Sequence, residues 1–280
     1  MINVAIACPH WGQLNVECHA GMMQIAKALT PWPPGNPDGQ FGIGRLDADG
    51  ESYALAFLYA AHTNIPIARE TLVEQALERD AHVSVHVDSD TGFDLEHVLE
   101  LIELLRQHED AAEVSAYDEG EVIVCAAKPI CLRGHPHHIA AFPFPVTQTP
   151  PHEWWFEVEN RKVVDVAATG MGLCAFRMDA LEEIERPWFP LHHVRFGAPP
   201  VSDMPLWLLH PQAALVGSDV AFTSRMAQVG RCVIDNRWPT TRPVRHIVPI
   251  SLAPFEQTVL TPVEEEEDGP GEEEEADRPR

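Results

Sequence analysis

The stretch Val83–Phe93 reads VSVHVDSDTGF, an apolar run that ends abruptly in two carboxylates. Val83, Val85 and Val87 alternate with Ser84 and His86 and are β-branched, the pattern of a strand. Asp88 and Asp90 then fall at its carboxyl end. In open α/β sheets ligands bind outside the carboxyl ends of the strands, so two acids there mark a chemical edge. On a turn tightened by Gly92 they can converge on one divalent cation, because Mg²⁺ and Mn²⁺ prefer oxygen ligands and often take one or two carboxylates plus substrate phosphates. Asp, Ser, Thr and Gly are also the residues that turns select, so the stretch alone leaves a plain turn equally open. Two other readings fail on spacing. An EF-hand loop needs its glycine at the sixth position, and Gly92 is fifth. A phosphatase of the Asp-x-Asp-x-Thr type needs a residue between its second acid and the threonine, but Thr91 follows Asp90 directly.

Working outward, Ala68, Leu72, Val73, Ala76 and Leu77 share one face of an amphipathic helix that leads into the strand. Arg69 stands in its first turn, where a cation gains nothing from the helix dipole, so it serves an anion or is simply solvated. Downstream, Phe93-Asp94 opens a helix with Leu95, Val98, Leu99, Ile102 and Leu105 as its apolar positions. Asp94 suits the N-cap, and Phe93 with Val98 has the spacing of a hydrophobic staple, so Asp94 reads as a cap rather than a third ligand.

Toward the N-terminus, Asn3–Ala7 is expected to be a buried strand that Cys8-Pro9 stops at a turn. A helix follows over Glu17–Leu29. The stretch Pro31–Gly44, PWPPGNPDGQFGIG, is too rich in Pro and Gly for regular structure. Ser52–Ala61 is a second strand and Val122–Ala126 a short third one. The Pro- and His-rich segment 129–155 reads as an exposed loop, with His135, His137 and His138 too close together for a helical metal pair. Val163–Ala167 and Met171–Phe176 read as strands separated by Ala168-Thr169-Gly170. Asp179 and Glu182 have capping-box spacing at a helix that Pro187-Trp188-Phe189 ends. A further helix lies within 217–230, with Phe222, Met226 and Val229 inward and Gly230 as its stop. RCVID (231–235) returns as a strand before Arg245-His246.

With 280 residues and 45% hydrophobic content, the chain can bury one large core. No apolar run approaches a membrane span, and Met1 leads directly into INVAIAC, so a soluble cytoplasmic protein with no membrane partner is expected. Cys8, Cys18, Cys125, Cys131, Cys174 and Cys232 are scattered without a C-x-x-C pair and read as reduced core thiols. Formal net charge is −24, which disfavours non-specific attraction to nucleic acid or anionic membrane. Ten acids against Arg278 and Arg280 leave −8 in the C-terminal tail and about −16 for the rest. The tail, EEEEDGPGEEEEADRPR, has no apolar side chain to bury and is expected to be disordered. The domain division is therefore 1–255 for the folded body and 256–280 for the tail.

Seven segments then line up in order: IACP, IARETLVEQAL, HVDSDTGF, ATGMGLCAFRMDAL, RPWF, GSDVAFTSRMAQVG and RHI. Together they resemble the GT-A fold glycosyltransferases, especially the short bacterial and phage members related to the large inverting family, over residues 2 to about 250. Two positions depart from the pattern. Glu70 stands where the family has asparagine after Arg69, and Ser218 where it has glutamate before Asp219.

The resemblance implies an α/β fold, a GT-A (Rossmann-like), mixed and mostly parallel sheet flanked by helices. It also implies a transfer, inverting in stereochemistry, from a nucleotide-diphosphate sugar, a UDP-sugar foremost, with Mn²⁺ or Mg²⁺ as cofactor. Asp88, Asp90 and His246 would hold the metal, Asp90 as direct ligand and Asp88 shared with the ribose. Cys8 and Pro9 match the loop facing the base, Arg69 the arginine near the nucleotide, and Gly170 and Gly172 the backbone that approaches the sugar. Asp219 matches the general base that deprotonates the acceptor hydroxyl; from the residues alone it is equally a helix cap. The acceptor is a glycan, a protein or, as in phage enzymes of this kind, a hydroxymethylated DNA base in a bacterial cell or phage-infected host. The last would need a local basic patch, for which Arg133, Arg161, Lys162, Arg195, Arg242 and Arg245 are candidates, and base flipping. The rival classes are a non-catalytic nucleotide-sugar-binding module and a nucleotidyltransferase. CPHWGQLNVE lacks the Gly-rich basic loop that the latter usually carries after its first strand.

Overall fold

The structure, a computed structural model, describes residues 1–10, 14–32, 43–48, 50–62, 64–106, 122–131, 138–142, 155–157, 162–190, 192–195, 213–216, 218–236 and 244–246. The chain divides into two units, Met1–Ile247 and Val248–Arg280. The second lies outside the described residues, and with it the expected acidic tail.

Eight strands form one sheet: β1 (Ile2–His10), β2 (Gly44–Ala48), β3 (Glu51–Ala61), β4 (Val83–Val87), β5 (Ile123–Ala127), β6 (Lys162–Val166), β7 (Leu173–Arg177) and β8 (Arg231–Asn236). Their order across the sheet is β6-β8-β5-β7-β4-β1-β3-β2. β1, β3, β4, β5 and β8 run one way, and β2, β6 and β7 run against them. This is the mixed α/β sheet that was expected, with five of its eight strands in one direction and three of its seven pairings parallel. Helices α1 (Val16–Ala28) and α3 (Leu95–Arg106) cover one face, and α2 (Ile65–Leu77) and α4 (Ser218–Met226) the other. Period-two alternation explains the division: Val83, Val85 and Val87 pack with α1 and α3, whereas Ser84 and His86 point to the opposite face. No described helix is long and apolar enough to cross a membrane.

Several local expectations hold. Asp94 caps α3: its Oδ1 accepts from the His97 amide at 3.1 Å, and His97 Nδ1 accepts from the Asp94 amide at 3.1 Å. His97 thus does the work of the Glu or Gln in a capping box. Cys8, Cys18, Cys125, Cys174 and Cys232 are free and buried, as reduced core thiols should be.

Other expectations are corrected. β1 does not turn at Cys8-Pro9 but pairs with β3 as far as His10–Ala61. The His82 amide donates to Asn3 O and the His62 amide to His10 O, so odd residues of β1 address β4 and even ones β3. Pro9 faces the β4 side beyond the last register pair, Ala7–His86, where its missing N–H costs no ladder bond. Gly44 is the first residue of β2 rather than the end of a loop; the preceding 33–42 lie outside the described residues. The β2–β3 connection uses Gly50 at φ +82°, a left-handed value that favours glycine. The segment 129–155 is not all loop: His138–Phe142 pairs with Trp155–Glu157 and with Ala168–Thr169, itself a short strand rather than a spacer. The Pro and His residues around it hid the short apolar run of HIAAF. Asp179–Glu183 is a 3₁₀-helix with Met178 at its N-cap and no capping box, because the Asp179 carboxylate is taken by Arg177 at 2.6 Å and by the Ala180 amide at 2.9 Å. Gly230 is required by close approach rather than by a left-handed cap. A Cβ there would lie 2.6 Å from Val124 Cγ1 and 2.7 Å from Val122 O.

Candidate active site

The site is built where β4 runs out. The Asp88 amide donates to Gly172 O at 3.0 Å, which fastens the strand end to the start of β7. The Thr91 amide then donates to Asp88 O at 2.9 Å, closing a turn that carries Ser89 and Asp90 outward. From the other face the Asn15 amide donates to Ser89 O at 2.9 Å, so the N-terminus of α1 is tied to the middle of the Asp-Ser-Asp turn. Thr91-Gly92 form a short strand with Val244–His246, in the register His246–Thr91. The backbone of His246 is therefore beside the aspartates, although its side chain lies outside the described parts.

α2 begins at Ile65 with Pro66 in its first turn, earlier than Ala68. Arg69 consequently sits in the second turn and points inward. It is 4% exposed, which excludes the solvated reading, and its Nη2 donates to Asp88 Oδ1 at 2.8 Å. Burial alone would pull the guanidinium down, but Asp88 and Asp219 outweigh it and hold it above its ordinary value. Asp88 is the converse case. Burial pushes its carboxyl up, Arg69 pulls it back, and Asp219 and Asp90 push it up again. About a third of the Asp88 side chain, 32%, is open.

Asp219 occupies the first turn of α4, where a carboxylate is favoured by the helix dipole. A Cβ on Gly170 would stand 3.5 Å from Asp219 Oδ2, so this glycine leaves open the space in front of the carboxylate. Thr223, one turn on, locks α4 to that strand: the Thr169 amide donates to Thr223 Oγ1 at 2.9 Å, and Oγ1 donates to Thr169 O at 2.7 Å. Ser218 is buried at the start of α4.

Arg69, Asp88, Asp90, Gly170 and Asp219 are thus brought together. Gly172 is present as a buried backbone partner of Asp88. The Cys8 side chain is fully buried beside this group: hydrogen bonding to Cys18 and burial push its thiol up, and Asp88 and Asp90 add to the push. Pro9 is buried beside it. The side chains of Arg133, Arg161, Lys162, Arg195, Arg242 and Arg245 lie outside the described parts, so no basic patch is drawn. Sequence reasoning did not find Thr223, Asn15 or the anchoring role of Glu70. Thr223 had a signal, since it stands four residues after Asp219 on the same helix face.

Among the described residues no group of three or more His, Cys, Asp or Glu side chains is assembled as a metal cluster. The donor set nonetheless suits a hard cation. Asp88, Asp90 and Asp219 offer the carboxylate oxygens that hard cations take, and Asp219 and Asp90 both push the Asp88 carboxyl up while Arg69 pulls it back.

No protein-family model matches the chain, and no curated protein sequence matches it. Among solved structures it is similar to A197 from STIV, at 12% identity and TM-score 0.47 over 89% of this chain and 87% of that one. It is also similar to a glycosyltransferase involved in the glycosylation of the major capsid of PBCV-1, at 12% identity and TM-score 0.29 over 66% and 68%. A third is S. aureus TarS 1-349 in complex with UDP-GlcNAc, at 10% identity and TM-score 0.41, of which the chain spans 58% while 88% of its own length is covered. All three TM-scores lie below 0.5.

Proposed function

We propose that the chain is a metal-dependent, inverting glycosyltransferase that moves a sugar from a nucleotide-diphosphate sugar, a UDP-sugar foremost, to an acceptor hydroxyl. The observation that carries this reading is the pairing of two carboxylates with different surroundings at one sheet edge. Asp88 is clamped by a buried arginine, and Asp219 stands over the open space at Gly170. Two acids set apart in this way suit two tasks, one toward the diphosphate and one toward the acceptor proton.

Asp88 and Asp90, with His246 opposite Thr91, would hold Mn²⁺ or Mg²⁺, which supplies positive charge against a departing diphosphate. Asp219 takes the proton of the acceptor hydroxyl as that oxygen forms its bond to the anomeric carbon and the bond to the diphosphate breaks, the electron pair leaving with the phosphate. Gly170 lets the sugar approach the backbone. Arg69, too buried to meet a ligand directly, keeps Asp88 aimed and charged.

A panel of nucleotide sugars, each with Mn²⁺ and with a chelator, tests the reading by release of nucleoside diphosphate. Release that needs the metal and is abolished in Asp90→Ala is expected. Turnover unchanged in a folded Asp90→Ala variant refutes it. Hydroxymethylated DNA, glycans and protein are then compared as acceptors, and the one that accelerates release names the acceptor class.

A further inference from the structure

The residue after Arg69 departs from the resemblance, and it is half-buried. Glu70 Oε1 accepts from the Phe189 amide at 2.6 Å. Burial pushes the Glu70 carboxyl up, and the Phe189 and Trp188 amides pull it back. Phe189 is itself a buried wedge. Its ring stacks on His86 of β4 at 5.9 Å and on Phe222 of α4 at 4.4 Å, with an interplanar angle of 21°.

The segment is held from both sides. Arg186 bridges to Glu74 of α2 at 2.9 Å and lies 4.0 Å over the Trp188 ring, while Arg225 of α4 donates to Pro187 O. Phe222 lies one turn after Asp219, on the helix that Thr223 ties to Thr169. Among the described residues α4 is held by hydrogen bonds at Thr223, by Arg225 on Pro187 O, and by packing at Phe222, whose support is Phe189 and, through its amide, Glu70.

We propose that Glu70 is a positioning residue that fixes Asp219 relative to Asp88. The consecutive residues Arg69 and Glu70 of one helix set the two halves of the site, the first by gripping Asp88 and the second by seating Phe189 beneath α4. The kinetic consequence rests on the glycosyl-transfer reading above; the structural coupling does not. Loss of the Phe189 bond loosens the first turn of α4 without touching Asp88 or its arginine, so turnover falls while donor binding stays. A carboxamide keeps an acceptor oxygen at the same place, so Glu70→Gln retains the bond that Glu70→Ala removes.

The test compares wild type, Glu70→Ala and Glu70→Gln by hydrogen exchange over 218–226 and by kcat and KM for the donor. Faster exchange of α4 in Glu70→Ala, restored in Glu70→Gln, is expected. With it should come a kcat lowered about tenfold to a hundredfold in the alanine variant at nearly unchanged KM, since misplacement by about 1 Å costs that much. Unchanged exchange of α4 in Glu70→Ala overturns the proposal, as does a kcat equal to wild type in that variant, or a glutamine variant as impaired as alanine. If wild type shows no transfer but α4 exchanges as predicted, the glycosyltransferase reading fails and the coupling stands.

Discussion

Gly21 offers a test in which two known effects oppose each other. It lies within α1, and in a helix interior Gly→Ala ordinarily gains about 1 kcal/mol. Here a Cβ would stand 2.6 Å from Phe93 O and 2.9 Å from the ring at Cε1. An ordinary carbon–oxygen contact is about 3.3 Å, so roughly 0.7 Å must be found. A ring can turn aside, but the carbonyl belongs to a backbone pinned on both sides. Gly92 pairs with Arg245 before it, and Asp94 caps α3 after it. α1 must therefore back away, at the overpacking cost of about 1–3 kcal/mol. The clash outweighs the gain, and Gly21→Ala is expected to lose up to about 2 kcal/mol net, a Tm fall of up to roughly 8 °C for a domain of this size. Because the Asn15 amide at the head of α1 bonds Ser89 O, the shift also pulls on the turn between Asp88 and Asp90. Urea denaturation with and without Mn²⁺ measures both parts: a lower midpoint, and weaker stabilisation by the metal. A midpoint equal to or above wild type would show that Phe93 yields and that α1 is not seated by this glycine.

Two further outcomes follow from buried charge. Lys128 is 5% exposed, with Nζ on Asp235 Oδ2 at 2.7 Å and on Glu100. Lys128→Met takes the ammonium from a buried carboxylate, Asp235, and from the partly exposed Glu100, and should cost about 3–5 kcal/mol in urea denaturation; a loss under about 1 kcal/mol would mean that the acids are compensated by other groups. His86 is fully buried, with neither ring nitrogen hydrogen-bonded among the described residues. Burial, with Arg69 adding to it, pulls it down to about 3. An unfolded histidine protonates near 6.5, so between these values the unfolded chain binds the extra proton and stability falls as pH falls, by up to about 1.4 kcal/mol per pH unit. His86→Leu should have a shallower acid slope, measured by denaturation from pH 7 to 4. Identical slopes would place a proton on the native ring.

What the sequence disclosed followed how local the cause was. β4, α3 with its Asp94 cap and the apolar face of α2 were legible because alternation, helical spacing and capping act within a few residues. The Asp88–Asp90 edge was legible for the same reason, since a polar turn must follow a buried strand. Pro9 misled because its effect depends on a neighbour: proline stops a strand only where an N–H would be needed, and whether β4 reaches that far is not written in β1. Asp179 misled because Arg177, two residues back, took its carboxylate first. The bond from Glu70 to Phe189 and the approach of Gly21 to Phe93 join positions far apart in the chain, and no local pattern announces either.

The opening choice between a turn and a site also changes form. The turn exists, since Asp88 O accepts from the Thr91 amide, but it uses only the backbone oxygen. The Asp88 carboxylate is left for Arg69, so turn chemistry and site chemistry draw on different atoms of one residue. Asp219 lies within the first turn of α4, so its place near the positive end of the dipole and its aim toward Gly170 are compatible. What sets the two acids apart is the partner: Asp88 is held by a buried cation and Asp219 by the seating of its helix. The Asp88 half should therefore fail through charge, as in Arg69→Met, and the Asp219 half through packing, as in Phe189→Ala. Arg69→Met is expected to weaken Mn²⁺-dependent donor binding. Phe189→Ala should instead lower turnover, with donor binding kept. Donor titration and single-turnover kinetics separate them, and the same pattern in both variants would mean that the halves are not independently built.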